Sequence, residues 1–519
     1  MAFKDENFTN WLLFSLKLAI RLYSYFLYRQ IIPSIISRIL HINFYGLKNT
    51  LTSPKTFFMK NRHLFSILFA LVVVLNIGCN EEKKKEQEVA VVPAQNSSHP
   101  SWSAQSNIYE VNLRQYSSSG SIKEFEKHLP RLKEMGVEIL WFMPITPIGI
   151  EGRKMTETEL GSYYAVKDYK GFNAEFGTMD DWKSFVKNAQ AMGFKVITDW
   201  VANHSAVDNH WMKAHPGFYM RDSAGKTVTP YDWTDVRRLN YQNRELRDSM
   251  IDAMRFWVVE TGIDGFRCDV AEDVPVDFWK ECIDSLRKIK NVFMLAEGEK
   301  ANLHEAGFDA TYAWDMMRAT TELYSGKKTL TQFDSALNAT IAKFPANAYR
   351  MYFTTNHDEN SWNGTEFEKY GNAYKTFAVF SQTMYQSVPL IYSGQEAMNK
   401  KRLKFFVKDT ISWGDKFGMA GFYKTLLGLR KTNPALAAGA PYKKLANSNE
   451  AAVFAYLREA AGHKVLVVLN LSKQPQKFTI KDAVINGEPL NVFLGVKEKV
   501  DTGHEFSMEP WGHIVYDYQ

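Results

Sequence analysis

The 519-residue sequence predicts an α/β fold: a (β/α)8 barrel with a small subdomain inserted after its third strand, followed by a C-terminal antiparallel β-sandwich. Three observations lead there. Short apolar runs alternate with amphipathic stretches across the middle of the chain, about 40 residues without clear period interrupt that rhythm after Asn203, and the pattern changes to short alternating strands near Ala440.

The eight expected strands are Ile108–Arg114, Ile139–Pro144, Lys195–Trp200, Gly265–Val270, Val292–Ala296, Ala310–Ala313, Met351–Thr355 and Pro389–Tyr392. Between them, Ile122–Met135, Met179–Met192, Glu245–Thr261 and Val276–Lys288 place apolar residues three and four apart, the period of a half-buried helix. Phe422–Arg430 reads as the last barrel helix. The stretch from Asn203 to Asn243 is rich in His, Trp, Tyr and Asp and too long for an ordinary loop, so it is expected to form a small subdomain beside the barrel mouth. After Ala440, AAVFAYLRE, KVLVVLNLS, QKFTI and HIVYDY alternate apolar and polar residues between turn signals. The expected divisions are a barrel over residues 104–438, including the insert over 203–243, and a sandwich over 439–519.

Composition narrows the class. With 45% hydrophobic and 23% charged residues the chain is globular, and its length calls for two or three folded units. The formal charge of +6 is unevenly placed: residues 1–58 carry +5 and residues 59–78 carry +2, which leaves −1 for the rest. A near-neutral body gives no reason to expect a nucleic-acid partner.

The amino-terminal region reads separately. From Met59 a basic start, an apolar run from Leu64 to Leu75 and Asn-Ile-Gly before Cys79 have the layout of a secretory signal over residues 59–78, and the cysteine at the cut resembles a bacterial lipoprotein signal. Lipidation at Cys79 and attachment to a bacterial cell envelope are the expectation. Residues 1–58 then precede a natural start and read as a non-native extension, with a membrane-surface segment as the alternative. Residues 79–103 read as a flexible tether. Cys268 and Cys282 lack disulfide or metal spacing and read as free structural thiols.

Polar residues gather where the strands end. Asp199-Trp-Val-Ala-Asn203-His204 follows the third, Gly265-Phe-Arg267-Cys-Asp269 ends the fourth, Ala296-Glu297-Gly-Glu299 ends the fifth and Asn356-His357-Asp358 ends the seventh. Carboxyl ends of barrel strands converge on one mouth, so these groups should meet. Cleaving a glycosidic bond with retention needs one carboxylate as nucleophile and a second, protonated carboxyl for the leaving oxygen, about 5–5.5 Å apart. Two acids on neighbouring strands can supply them. Arg267, two residues before Asp269, shares its face and would keep it ionised.

With Gly161-Ser-Tyr-Tyr164-Ala-Val-Lys-Asp168-Tyr, Leu140-Trp-Phe-Met-Pro-Ile-Thr-Pro147 and Pro510-Trp-Gly-His-Ile-Val-Tyr516, these motifs resemble the α-amylase family, glycoside hydrolase family 13, over roughly residues 104–519. The resemblance implies a TIM barrel acting on α-1,4 linkages in starch or maltodextrins. It implies Asp269 as nucleophile, Glu297 as acid/base, Asp358 as the third carboxylate, His204 and His357 as ligands of sugar hydroxyls, and Tyr164 as a stacking platform. Asp199 and Asn203 would support the site; Asn203 matches a position that binds calcium in many relatives, which allows a structural calcium ion here, while the chemistry itself requires no cofactor. Glu299 is expected behind Glu297 on the same face. Val270-Ala-Glu272-Asp273 replaces a Lys-His pair common in α-amylases, so contacts on the leaving-group side differ; Asp232-Trp-Thr-Asp235-Val-Arg-Arg238-Leu-Asn240 resembles the small-subdomain motif, with Arg238 where an acid is common. The short insert favours short oligosaccharides. A transglycosidase, a sucrose- or trehalose-acting enzyme and a non-catalytic carbohydrate-binding protein are the alternatives.

Overall fold

The computed structural model describes residues 99–153, 159–414 and 417–518, all within one compact unit spanning residues 91–519. The expected extension, signal and lipidated Cys79 lie outside the described residues, as does the tether up to residue 98. His99, at the end of that expected tether, is instead buried: its Nδ1 stands 2.6 Å from Asp309 Oδ1 and its ring stacks on Tyr349 at 4.2 Å. A lone polar residue after a polar stretch gives no sequence signal for such an anchor.

Eight parallel strands form the barrel sheet: β1 (Ile108–Val111), β2 (Ile139–Phe142), β3 (Lys195–Val201), β6 (Gly265–Asp269), β7 (Phe293–Ala296), β8 (Ala310–Tyr312), β9 (Tyr349–Met351) and β10 (Leu390–Tyr392). β10 returns to pair with β1, and a parallel bridge between Arg350 and Ser387 brings β9 to the segment leading into β10, so the sheet is nearly closed. The seventh strand differs from expectation. It begins at Tyr349 and ends at Met351, whereas the apolar run over 351–355 pointed further on; Arg350 lies within the strand, buried and paired with Asp315 at 2.9 Å.

Period-two alternation explains how the barrel builds its mouth. Ile108, Ile139, Trp141, Ile197, Phe293 and Leu295 pack together inside, while Tyr109, Leu140, Val196, Phe266, Cys268 and Met294 belong to the core between sheet and helices. The inward files continue toward the carboxyl ends with polar residues: Ile108 leads to Glu110, Ile197 to Asp199, and Leu295 to Glu297. In the ladder Asp199 is the Cα partner of Arg267, and Glu110 faces both Trp141 and Tyr392. Gly265 is required at the foot of β6, because a Cβ there would meet Phe293 O at 2.0 Å.

The helices start and stop for local reasons. Thr178 closes a capping box on Met179–Ala191, and Asn243 caps Arg244–Thr261, which Gly262 ends in the left-handed region. Beyond β3 the insert pairs β4 (His204–Ala206) with β5 (Val236–Arg238) in antiparallel register, His204 opposite Arg238.

The carboxyl-terminal part holds a six-stranded antiparallel sheet built from β11 (Tyr442–Leu445), β12 (Val453–Ala460), β13 (His463–Asn470), β15 (Leu490–Asn491), β16 (Val496–Lys497) and β18 (His513–Tyr518). β14 (Gln476–Thr479) pairs with β17 (Glu505–Met508) over a separate core containing Leu466, Val468, Phe478 and Phe506. The sequence pattern reached β12, β13, β14 and β18 but not β11 or β17, and the two-residue β15 and β16 are too short to carry a period. The domain is fastened to the barrel helices. Arg458 Nη1 donates to Thr383 O at 2.7 Å, and Asn433 Nδ2 donates to Asp517 Oδ1 at 2.7 Å.

Candidate active site

Six of the expected site residues lie in one network around Arg267. This guanidinium is fully buried, and Nη1 donates to Asp199 Oδ1 at 2.8 Å and to Asp269 Oδ1 at 3.0 Å, while Nη2 stands 3.0 Å from Glu297 Oε2. Nε donates to the Tyr312 hydroxyl at 3.0 Å. One cation therefore holds three carboxylates from β3, β6 and the end of β7. Desolvating such an ion is costly, and multiple charged partners offset that cost.

Asp269 is buried at the end of β6. Burial, then the negative charge of Glu297, push its carboxyl well above the usual aspartate range, against the pull of Arg267. Asp199 is raised to about 6 by burial despite the same arginine. Glu297 begins where β7 stops, and its Oε2 accepts the backbone N–H of Val270 at 2.8 Å. Val270 holds φ 41°, unusual for a β-branched residue, so the chain turns sharply after Asp269 to aim that N–H.

A second group comes from the segments that follow β2 and β9. The Tyr164 hydroxyl donates to Asp199 Oδ2 at 3.1 Å and stands 2.8 Å from His357 Nε2, which is also 3.2 Å from Asp358 Oδ2. Burial alone would raise the Asp358 carboxyl, but His357 and Arg267 bring it below the ordinary value. His204 is buried against Trp233, ring centroids 5.2 Å apart, and burial lowers its pKa to about 3, which leaves it neutral.

These groups line a cleft of about 280 Å³. Tyr164, His204, Asp269, Glu297 and Asp358 all face it, joined by Trp233, Trp362, Phe405 and Phe406. Paired carboxylates beside aromatic faces suit a sugar, whose hydroxyls need acceptors and whose apolar ring faces need flat partners. Arg267, His357 and Asp199 stand behind that lining.

Sequence reasoning missed several members. Glu110 holds His357 from below, and its signal was an acid inside the otherwise apolar run Ile108–Val111. Trp362, Phe405 and Phe406 come from loops whose placement no period predicts. Glu299 differs from expectation: β7 ends at Ala296, so strand alternation no longer applies, and Glu299 instead pairs with Arg318 at 2.8 Å. Asp273 accepts the Tyr231 hydroxyl at 2.9 Å and lies 3.9 Å from Arg238 Nη2, so the departures at Arg238 and Asp273 meet and tie the insert to the loop after Asp269. Cys268 and Cys282 are buried free thiols.

Calcium takes six to eight oxygen ligands, which backbone and amide carbonyls supply as well as carboxylates. Asn203 is buried with Nδ2 3.3 Å from His204 Nδ1, and among the described residues no three His, Cys, Asp or Glu side chains gather as a metal site.

A nearly closed eight-stranded barrel with acids at the ends of neighbouring strands and an aromatic cleft defines a glycoside-hydrolase type of protein. The chain belongs to the α-amylase family: the family model for the alpha amylase catalytic domain matches residues 95–235 and 229–412, and that for the maltogenic amylase C-terminal domain matches residues 442–515. It is similar to the alpha-amylase MalA of Haloarcula japonica, 26% identical over 402 residues, covering 72% of this chain and 57% of that protein. A cyclomaltodextrinase of a Bacillus species is 24% identical, with 68% and 66% covered. Among solved structures, the maltogenic alpha-amylase AmyB of Thermotoga neapolitana superposes with a TM-score of 0.73 at 30% identity, covering 80% of this chain and 99% of that one.

Proposed function

We propose that this chain is a retaining α-glycoside hydrolase that cleaves α-1,4-glucosidic bonds in starch fragments or maltodextrins. The observation that carries the reading is the Asp269–Arg267–Glu297 arrangement, in which one guanidinium holds both carboxylates at 3.0 Å beside the same cleft.

In the first step Asp269 attacks the anomeric carbon as the glycosidic bond breaks, and Glu297 gives its proton to the departing oxygen. In the second, Glu297 takes a proton from water, whose oxygen attacks the same carbon and releases Asp269. Arg267 stabilises the ionised nucleophile and Asp199 completes its charge balance. Asp358 receives hydroxyls of the sugar at the cleavage point, His357 stands behind it rather than on the sugar as the family resemblance implied, His204 adds a neutral imidazole, and Tyr164 offers its ring to the sugar face. The matched C-terminal model and the maltogenic and cyclomaltodextrin-acting names of the relatives favour short or cyclic maltooligosaccharides as substrates.

Attachment to a bacterial cell envelope through a lipid on Cys79 belongs to the same reading and rests on the sequence around that residue. Mass spectrometry of the native amino terminus tests it. A diacylglyceryl cysteine at position 79 supports the anchor, and an uncleaved chain overturns it.

Product chromatography with maltoheptaose, soluble starch, pullulan and sucrose tests the activity. Release of short maltooligosaccharides, lost in Asp269→Asn, is expected. Products longer than the substrate would make sugar the acceptor and the chain a transglycosidase; no turnover would overturn the proposal.

A further inference from the structure

β1 carries one residue that its packing does not explain. Glu110 is buried to the last atom between apolar neighbours, where an ionised carboxylate is costly without a partner. Its Oε1 stands 2.5 Å from His357 Nδ1, and its Oε2 has no hydrogen-bond partner among the described residues.

The atoms around the His357 ring define its protonation. Nδ1 faces Glu110 Oε1; burial raises that carboxyl while the charge and hydrogen bond of His357 draw it down, and in its ionised form it can only accept. Nε2 faces Asp358 Oδ2 at 3.2 Å and the Tyr164 oxygen at 2.8 Å; because the Tyr164 hydroxyl donates to Asp199 Oδ2, that oxygen presents a lone pair to Nε2. A ring flanked by acceptors at both nitrogens donates from both, and such an imidazole is a cation.

We propose that Glu110 is a positioning residue of the active site: it holds His357 as a doubly protonated imidazolium whose Nε2–H is aimed at Asp358 and Tyr164. His357 in turn keeps Asp358 ionised and turned into the cleft to accept sugar hydroxyls. Other groups bear on the ring. Arg267 on β6 opposes its charge, Asp199 on β3 reaches it through Tyr164, Trp141 on β2 packs edge-on at 6.0 Å, and Tyr312 and Tyr392 stay protonated because burial raises both phenols. Burial would push His357 down, but Asp358 and Glu110 raise it well above the ordinary histidine value.

The effect on catalysis rests on the glycosidase reading; the protonation state does not, so the test has two arms. In the first, ¹⁵N-histidine NMR at about pH 8, where an ordinary histidine is neutral, reads the ring in the resting protein, with H357Q identifying its signals. Two protonated nitrogens are expected in the wild type and in E110D, and a neutral ring in E110Q, which keeps the hydrogen bond and loses the charge. A neutral His357 in the wild type, or a charged one in E110Q, overturns the proposal. In the second arm, kcat/KM for maltoheptaose should fall about tenfold to 100-fold in E110Q and recover in E110D, which restores the charge. An E110Q as active as the wild type, or an E110D as impaired as E110Q, marks Glu110 as a packing residue only and also overturns it. If the wild type turns over no α-glucan, the functional reading fails and the NMR arm still decides this one.

Discussion

Arg267 Nη1 donates to Asp269 Oδ1 at 3.0 Å, and the two residues sit two positions apart on one strand, so the countercharge and the carboxylate it serves are placed by the same backbone. Strand alternation makes that pairing obligatory once β6 has its register.

Replacing the arginine exposes the cost of that design. Arg267→Met leaves Asp199 and Asp269 buried without their cation, which should cost about 3–5 kcal/mol of stability. Urea denaturation of the purified variant measures it, and a change near zero would show that water already screens the site.

Glu297→Gln removes the proton donor. Turnover of maltoheptaose should fall by about 10²–10⁴-fold, and an aryl glucoside whose leaving group departs without protonation should lose far less. Equal losses on both substrates would assign the proton to another group.

The same variant has a consequence for pH. Burial is the first cause that raises Asp269, and activity requires it ionised beside a protonated Glu297, so the acid limb of kcat/KM lies above the usual aspartate range. Glutamine at 297 matches the charge of that protonated partner. With the aryl glucoside, the acid limb should therefore stay above the usual aspartate range; a limb that falls into that range contradicts burial as its cause.

Away from the cleft, Glu366 accepts from Thr354 Oγ1 at 2.9 Å, and burial raises it to about 7. The folded state therefore binds the proton more tightly than the unfolded chain, and the stability this gives is full below the unfolded value and lost as pH rises through about 7. Thermal melts of the wild type and Glu366→Gln should show the variant gaining relative stability between about pH 5 and pH 8. A pH-independent difference would contradict the assignment.

Trp233 reaches the cleft from the insert and packs on His204. Trp233→Ala should raise KM for maltoheptaose about threefold to tenfold, from the loss of about 1 kcal/mol of stacking, with kcat little changed. A fall in kcat alone would place the indole against the reacting sugar instead.

What the sequence made legible follows from chemistry that recurs at fixed spacing. Asp199, Arg267, Asp269 and Glu297 could be placed because each follows an apolar run whose period aims it at the mouth. Glu110, the partner of His357, is governed by the same rule, but a single acid in a four-residue strand has too little context to be separated from a strand edge. Trp362 and the two phenylalanines at 405 and 406 sit on irregular segments, where contacts far apart in sequence decide position. The seventh strand was shifted because Arg350 is charged yet buried, and only its pairing with Asp315 across the fold makes that burial tolerable.

The central claim is that Asp269 forms a glycosyl-enzyme with retention. Proton NMR of the anomeric signal during the first turnovers of maltoheptaose tests it most directly. The account predicts that the newly formed reducing end appears first as the α-anomer and only later mutarotates; initial appearance of the β-anomer would mean single displacement by water and would contradict the role given to Asp269.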